Sequence, residues 1–384
     1  MKRKTMVMIC LMMVVGILSG CVASKKPGPA ATPETVETEP AASTHTSSPS
    51  ESTEALTEVP TDPYQPSESL QDPQSEDDPP IWDQAQVRVS ASIAQSLSIL
   101  RKYPQQGSST SVPFDSSDYQ GYFGLTDRQK QYYDELQCHA KDLTSVSYSV
   151  EADGFETLDD ARVAFGALCM DHPVYEMCCY LREIFDGDTI KEVKLAFFMP
   201  GSDYFMPGDP GLTTEEELRE LRKELDIFDE QCNEIVRRMP QDISSYDKYR
   251  YLASVISLQT QYDHSFSQGP QIGTIYGAIQ GGNAICQGYA RAFQYLCQKA
   301  DLRCATVSGA SGDMSHMWNL VELEDGTYYV DITWSDSTGA LPGETPWYDY
   351  FMITQEKLLF THTILDGTNA TGTTIFPVPA PEIY

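Results

Sequence analysis

Residues 281–334 read GGNAICQGYARAFQYLCQKADLRCATVSGASGDMSHMWNLVELEDGTYYVDITW, and their hydrophobic periodicity changes part-way along. From Cys286 to Lys299 the apolar residues recur at helical spacing, whereas Cys304–Ser308, Met317–Leu323 and Tyr328–Trp334 read as short strands. Glu324-Asp325-Gly326 supplies a hairpin turn, and Tyr350–Ile353 a further strand. A helix followed by an antiparallel sheet is an α+β arrangement, not a parallel βαβ array.

The same stretch carries the chemistry. The loop Gly281-Gly282-Asn283-Ala284-Ile285 delivers Cys286 to a helix start, where free N–H groups and the helix dipole favour a thiolate. Those N–H groups can also donate to the oxyanion of a tetrahedral intermediate. A cysteine at a helix start is more often simply buried, and a lone histidine such as His316 is more often structural. Asp331 changes the balance, because a carboxylate in the apolar run Tyr328–Trp334 is costly unless it is paired. Paired with His316 it would orient the imidazole, which would in turn hold the Cys286 thiolate. A two-residue Asp325-Gly326 loop pairs Glu324 with Thr327 and sets Asp331 opposite Leu320. His316 then lies on the same face but roughly 13 Å away, at about 3.3 Å per residue. A bulge, a wider turn or strong twist must close that gap.

Working outward, Tyr246–Tyr262 reads as an amphipathic helix, followed by a loop with Gly269, Gly273, Gly277, Gly281 and Gly282. Earlier, Val87–Tyr103, Thr126–Leu143 and Glu156–Met170 are helical, and Tyr175–Phe185 and Thr189–Phe198 form a hairpin about Asp186-Gly187-Asp188. Thr213 opens a long helix with Glu216 completing a capping box, and Leu218, Leu221, Leu225, Phe228, Cys232 and Ile235 form its apolar stripe.

The chain begins with Lys2, Arg3 and Lys4 and an apolar run from Met6 to Ile17, too short to span a bilayer. That run ends in Leu18-Ser19-Gly20-Cys21, which resembles the lipobox of bacterial lipoproteins and implies lipidation at Cys21. The expected location is therefore extracytoplasmic, anchored to the membrane at the bacterial cell surface. From Val22 to about Pro80 the chain is rich in Pro, Ser, Thr and Glu, and cannot bury enough surface to offset its ordering entropy. It reads as a disordered tether. Asp plus Glu number 56 against 26 Lys plus Arg, a formal net charge of -30, which repels nucleic acid. Of ten cysteines, Cys10 is expected to leave with the signal and Cys21 to carry lipid, and Cys286 is set aside if it is a free nucleophile. Seven remain, an odd number with no zinc-site spacing, so no complete disulfide framework is expected.

The segments Thr274-Ile275-Tyr276-Gly277-Ala278-Ile279, Ala284-Ile285-Cys286-Gln287-Gly288-Tyr289-Ala290, His316-Met317-Trp318-Asn319 and Val330-Asp331-Ile332-Thr333-Trp334 resemble the transglutaminase-like superfamily. The resemblance covers about residues 245–362 and places Cys, His and Asp in the family's order. It implies a papain-like core with Cys286 as nucleophile, His316 as general base and acid, and Asp331 as orienting carboxylate. Tyr289 and Trp318 match positions that shape the site, and Tyr276 and Gln287 are candidates for a side-chain oxyanion donor. Asp171-His172-Pro173 resembles part of an accessory region that precedes this domain in some bacterial relatives.

The resulting plan is a signal peptide at 1–21, a linker at 22–85, an accessory α+β region at 86–240 and a catalytic domain at 241–384. The expected activity is acyl transfer on peptide or carboxamide bonds, as a protease, amidase or crosslinking enzyme, with no cofactor and no metal. The expected partner is a protein or peptide, cell-wall peptide included. A non-catalytic surface binding or scaffold domain is the alternative. His172, His264 and His362 read as isolated structural or exposed residues, although His264 and His362 could line the cleft. Asn369-Ala370-Thr371 fits a glycosylation sequon by chance, and Asp336 and Asp349 lack the surroundings of a cation site.

Overall fold

The computed structural model describes residues 81–103, 120–150, 155–202, 210–265 and 269–365. Cys21, the tether and the Asn369 sequon lie outside them.

The accessory part contains α1 (Ile81–Lys102), α2 (Asp127–Asp142), α3 (Phe155–Asp171) and α4 (Glu215–Arg237). Its antiparallel sheet, ordered β1-β3-β2, comprises β1 (Ser147–Ser149), β2 (Cys179–Asp186) and β3 (Thr189–Phe197). Thr126 opens α2 through a capping box with Gln129, satisfying two donors that the helix itself leaves free. The α4 box falls one residue later than its sequence reading. Glu217 accepts from the N–H groups of both Thr213 and Thr214, which makes Thr214 the cap. The hairpin turns where expected, with Gly187 at φ 61°. Residues Pro173–Glu176 form a short helix instead of the beginning of β2.

The second part begins with α5 (Ser245–Gln259) and α6 (Cys286–Lys299). Then follow β4 (Cys304–Ser311), β5 (Met314–Leu323), β6 (Gly326–Val330), α7 (Ile332–Ser337), β7 (Phe351–Ile353) and β8 (His362–Ile364). The five strands form an antiparallel sheet in the order β8-β4-β5-β6-β7. This is the α+β class expected, with the cysteine-bearing helix packed on the sheet.

In this sheet two further features differ from the sequence reading. The β5–β6 turn is Glu324-Asp325, with Leu323 paired to Gly326 and Asn319 to Val330. This slides the pairing by two residues, which preserves the faces. The run Tyr328–Trp334 is also not one strand. It stops at Val330 because Asp331 accepts the Trp334 N–H at 3.0 Å, as a helix N-cap does. Continuing the observed register would place Asp331 opposite Trp318, one pleat period from His316, so no bulge is needed.

One face of the sheet carries Val321, Leu323 and Val330 into a cluster with Tyr289, Phe293 and Leu296 of α6 and with Leu221 and Phe228 of α4. The other face carries Val307, Trp318, Leu320, Tyr329, Ile353 and Leu358. The accessory part is pinned to α6 through the end of α3, whose last carbonyls have no partner within their own helix. Arg291 donates to Cys169 O and Met170 O, both at 3.2 Å, Gln294 to Met170 O at 2.9 Å, and Gln298 to Asp171 O at 2.8 Å.

Candidate active site

Cys286 is the first residue of α6, and its N-cap, Ile285, has no side chain to cap the first turn. The loop before it is held by Arg88 of α1, which donates to the Gln280 carbonyl, and by the Ile285 N–H, which reaches Ile272 O at 2.9 Å. Gly282 sits at φ 72° with the Arg88 guanidinium against it, so a Cβ there would lie 2.9 Å from Arg88 Nε. The positive φ is what calls for glycine at that turn.

The His316 side chain is 8% exposed and has the Cys286 sulfur near it on one side, close enough to raise its pKa. On the other, its Nε2–H donates to Asp331 Oδ2 at 2.7 Å. Nδ1 is thus the nitrogen left for sulfur. Asp331 is 1% exposed. Its Oδ2 also accepts from His362 Nε2 at 3.0 Å, and its Oδ1 accepts the Trp334 N–H. Burial alone would lower the His316 pKa, but the Asp331 charge and hydrogen bond, with the contact to Cys286, raise it to about 10. Burial would likewise raise Asp331, yet the two histidines hold its carboxyl well below the usual carboxylate range.

Trp318 stacks on His316, with ring centres 5.7 Å apart, and meets His362 edge-on at 5.0 Å. Asn319, on the opposite face, donates to Ala290 O of α6 at 2.9 Å and so fixes β5 against the cysteine helix. Tyr289 acts from beneath the site. Its hydroxyl reaches Thr260 O at 2.9 Å and Asp336 Oδ2 at 3.0 Å, while Ser257 donates to Asp336 Oδ1 at 2.7 Å. One carboxylate thereby joins α5, α6 and α7.

Burial raises the Asp336 pKa to about 6 from the ordinary 3.8, so the folded state binds this proton more tightly than the unfolded state. Its ionisation therefore costs stability progressively from about pH 4 to pH 6. Asp336→Asn is expected to remove that component. Denaturant midpoints of wild type and variant should diverge in the variant's favour as pH rises across this interval, and a gap independent of pH would refute the expectation.

The structure brings Cys286, His316, Asp331 and Trp318 together. It places the other candidates elsewhere. Gln287 donates to Glu176 Oε1 at 2.7 Å, and the Tyr276 hydroxyl faces Glu224 of α4 at 3.5 Å. Asp171 binds the Gly121 and Tyr122 N–H groups and the Tyr133 hydroxyl. Gln137 contacts His172, and His264 is exposed beside Tyr262. Asp349 faces Lys357 at 3.4 Å. His362, which the sequence reading took as structural or exposed while allowing that it could line the cleft, is buried at the centre of the site. Among the described residues, His316, Asp331 and His362 have donor atoms within 4.8 Å of one another, close enough to suit a metal ion. Both imidazoles, however, turn an N–H towards the same carboxylate oxygen, whereas metal binding needs a lone pair there.

The model of the transglutaminase-like superfamily matches residues 232–332, which contain Cys286, His316 and Asp331. Residues 232–332 are a transglutaminase-like domain. A 61-residue stretch is 38% identical to the kyphoscoliosis peptidases of Mus musculus and Homo sapiens, covering 13% of this chain and 9% of each relative. The chain thus spans less than a tenth of those relatives' length. A solved structure titled as that of a TGase is 12% identical, covers 44% of this chain and 45% of its own, and has a TM-score of 0.26. The transglutaminase-like match ends at residue 332, before His362.

Proposed function

We propose that this chain is an extracytoplasmic cysteine acyl-transfer enzyme acting on peptide or carboxamide bonds and held at the bacterial surface by lipid on Cys21. The observation that carries the reading is the buried His316–Asp331 pair at 2.7 Å, placed beside the Cys286 sulfur at the start of α6.

With its pKa at about 10, His316 keeps both ring protons at neutral pH. The Cys286 sulfur, as thiolate, attacks the substrate carbonyl beside this imidazolium. Charge that develops on the carbonyl oxygen faces the first-turn N–H groups of α6. The C–N bond then breaks, and the His316 Nδ1 proton passes to the leaving amine, giving a thioester on Cys286. Neutral His316 next takes a proton from water or from a second amine, which attacks the thioester and frees the sulfur. Water makes the enzyme a protease or amidase, and a lysine amine makes it a crosslinking transglutaminase. Asp331 orients His316 throughout and stabilises its charged form. No step calls for a metal or an organic cofactor. The substrate is a protein or peptide, cell-wall stem peptide included.

Iodoacetamide labelling tests the site independently of substrate. Wild-type protein should be alkylated at Cys286 at pH 6, and His316→Ala should react at least tenfold more slowly, because a one-unit loss of ion-pair stabilisation is worth about tenfold. Equal rates would favour a surface scaffold instead. Mass-spectrometric mapping of new termini and new isopeptide bonds in cell-surface extracts, with Cys286→Ala as control, then separates hydrolysis from crosslinking.

A further inference from the structure

We infer that His362 is a positioning residue for the catalytic pair, holding the Asp331 carboxylate as a second N–H donor on the very oxygen that His316 uses. This inference rests on the cysteine-enzyme reading and adds to it a residue beyond the domain match.

The donor pattern is specific. Asp331 Oδ2 receives His316 Nε2 at 2.7 Å and His362 Nε2 at 3.0 Å. With Oδ1 occupied by the Trp334 N–H, three donors from β5, β8 and α7 fix both oxygens of one carboxylate. The His362 side chain is 0% exposed, and its Nδ1 lies 2.8 Å from Thr361 Oγ1. Because a carboxylate only accepts, His362 must carry a proton on Nε2. A threonine hydroxyl opposite Nδ1 can accept or donate, so it tolerates the tautomer that Asp331 requires.

The sheet explains how two histidines far apart in sequence reach one oxygen. Strand β4 lies between β5 and β8, with Gly309 paired to both His316 and Ile364, and Ser311 paired to both Met314 and His362. His316 and His362 therefore point from the same face, two pleat positions apart along the strands. Gly309 has no side chain on that face, and the Trp318 ring occupies the space, touching both imidazoles. Asp331 meets them where α7 begins.

A second donor has a defined effect. It stabilises ionised Asp331, and it restrains the carboxylate from rotating away from His316. The ionisable groups around Asp331 are His316 from β5, with Cys286 behind it, His362 from β8, and Tyr350 from the segment before β7. Tyr350 and the Asp331 charge oppose each other, so the two histidines supply the favourable partners.

Full-length wild type, His362→Leu and His362→Gln are compared by iodoacetamide labelling of Cys286 from pH 4 to pH 9. Gln can place its amide N–H near the position of Nε2, whereas Leu cannot. In His362→Leu the acid limb of the rate profile should move up by about one pH unit, with about a tenfold loss of rate on that limb. His362→Gln should restore most of both. A loss of rate that is uniform in pH, or equal in the Leu and Gln variants, would show packing alone and overturn the inference. Nitrogen-15 spectra of wild-type protein provide a check that needs no variant: His362 must be protonated at Nε2, and a sole proton on Nδ1 would refute the assignment. Failure of Cys286 to react in wild type would sink the enzyme reading itself, a different result from either of these.

Discussion

Asp331→Ala is expected to slow alkylation of Cys286 by about a hundredfold at pH 6 and to lower the thermal unfolding midpoint by about 10 °C. The rate follows from charge, since an opposite charge this close to an imidazolium is worth one to three pH units, each about tenfold. The stability loss follows from stranding three buried donors. Breaking a buried charged pair costs roughly 3–5 kcal/mol, and losing an N-cap about 1 kcal/mol. In a domain of this size each kcal/mol moves the midpoint by about 2–4 °C. His316 titrates at about 10 when folded against 6.5 ordinarily, so its contribution is complete below about pH 6.5 and fades as pH rises towards 10. Asp331 is held below its ordinary 3.8, so its contribution is complete above about pH 4 and is lost on further acidification. The gap between wild type and variant should therefore be widest between about pH 4 and 6.5. Matching unfolding midpoints at pH 5 would contradict this account.

Gly309→Val is the second large effect. A Cβ at Gly309 would lie 2.1 Å from the Thr363 carbonyl oxygen and 2.4 Å from the Trp318 ring. Neither is the free end of a flexible chain, so β8 must separate from β4 or the indole must leave its place beneath His316. Overpacking typically costs about 1–3 kcal/mol, and two close contacts with rigid groups put this one at the upper end of that range. Urea unfolding should show that loss. Because either relaxation disturbs His316 or His362, Cys286 labelling should fall in step. A variant within about 0.5 kcal/mol of wild type would mean that the sheet yields without disturbing these contacts.

The sequence made Cys286, His316 and Asp331 legible for separate reasons: a helix start after a glycine loop, a histidine in an apolar strand, and a lone carboxylate that needed a partner. It did not yield their separation. Strand parity put His316 and Asp331 on one face, but the two-residue slip depends on which residues make the turn, and that choice leaves no mark on the hydrophobic alternation. The change from strand to helix at Asp331 escaped for a related reason, since Tyr328–Trp334 is apolar enough for either state. His362 lies in a strand of three residues, too short to show a period, and its partner is 31 positions away. Tyr276 and Gln287 were open to an oxyanion role only while the accessory part was unplaced; Glu224 and Glu176, 52 and 111 positions away, engage them.

The pinning of α3 onto α6 bears on how this protein can change over evolutionary time. Arg291, Gln294 and Gln298 cover carbonyls of another helix, while Tyr289 and Phe293 of the same helix fill the core and Cys286 heads it. Fourteen residues thus answer at once to chemistry, packing and docking. A different N-terminal neighbour could not be grafted on by recombination alone: the outward side of this one helix would have to be rewritten with it, so the two parts are bound to diverge together.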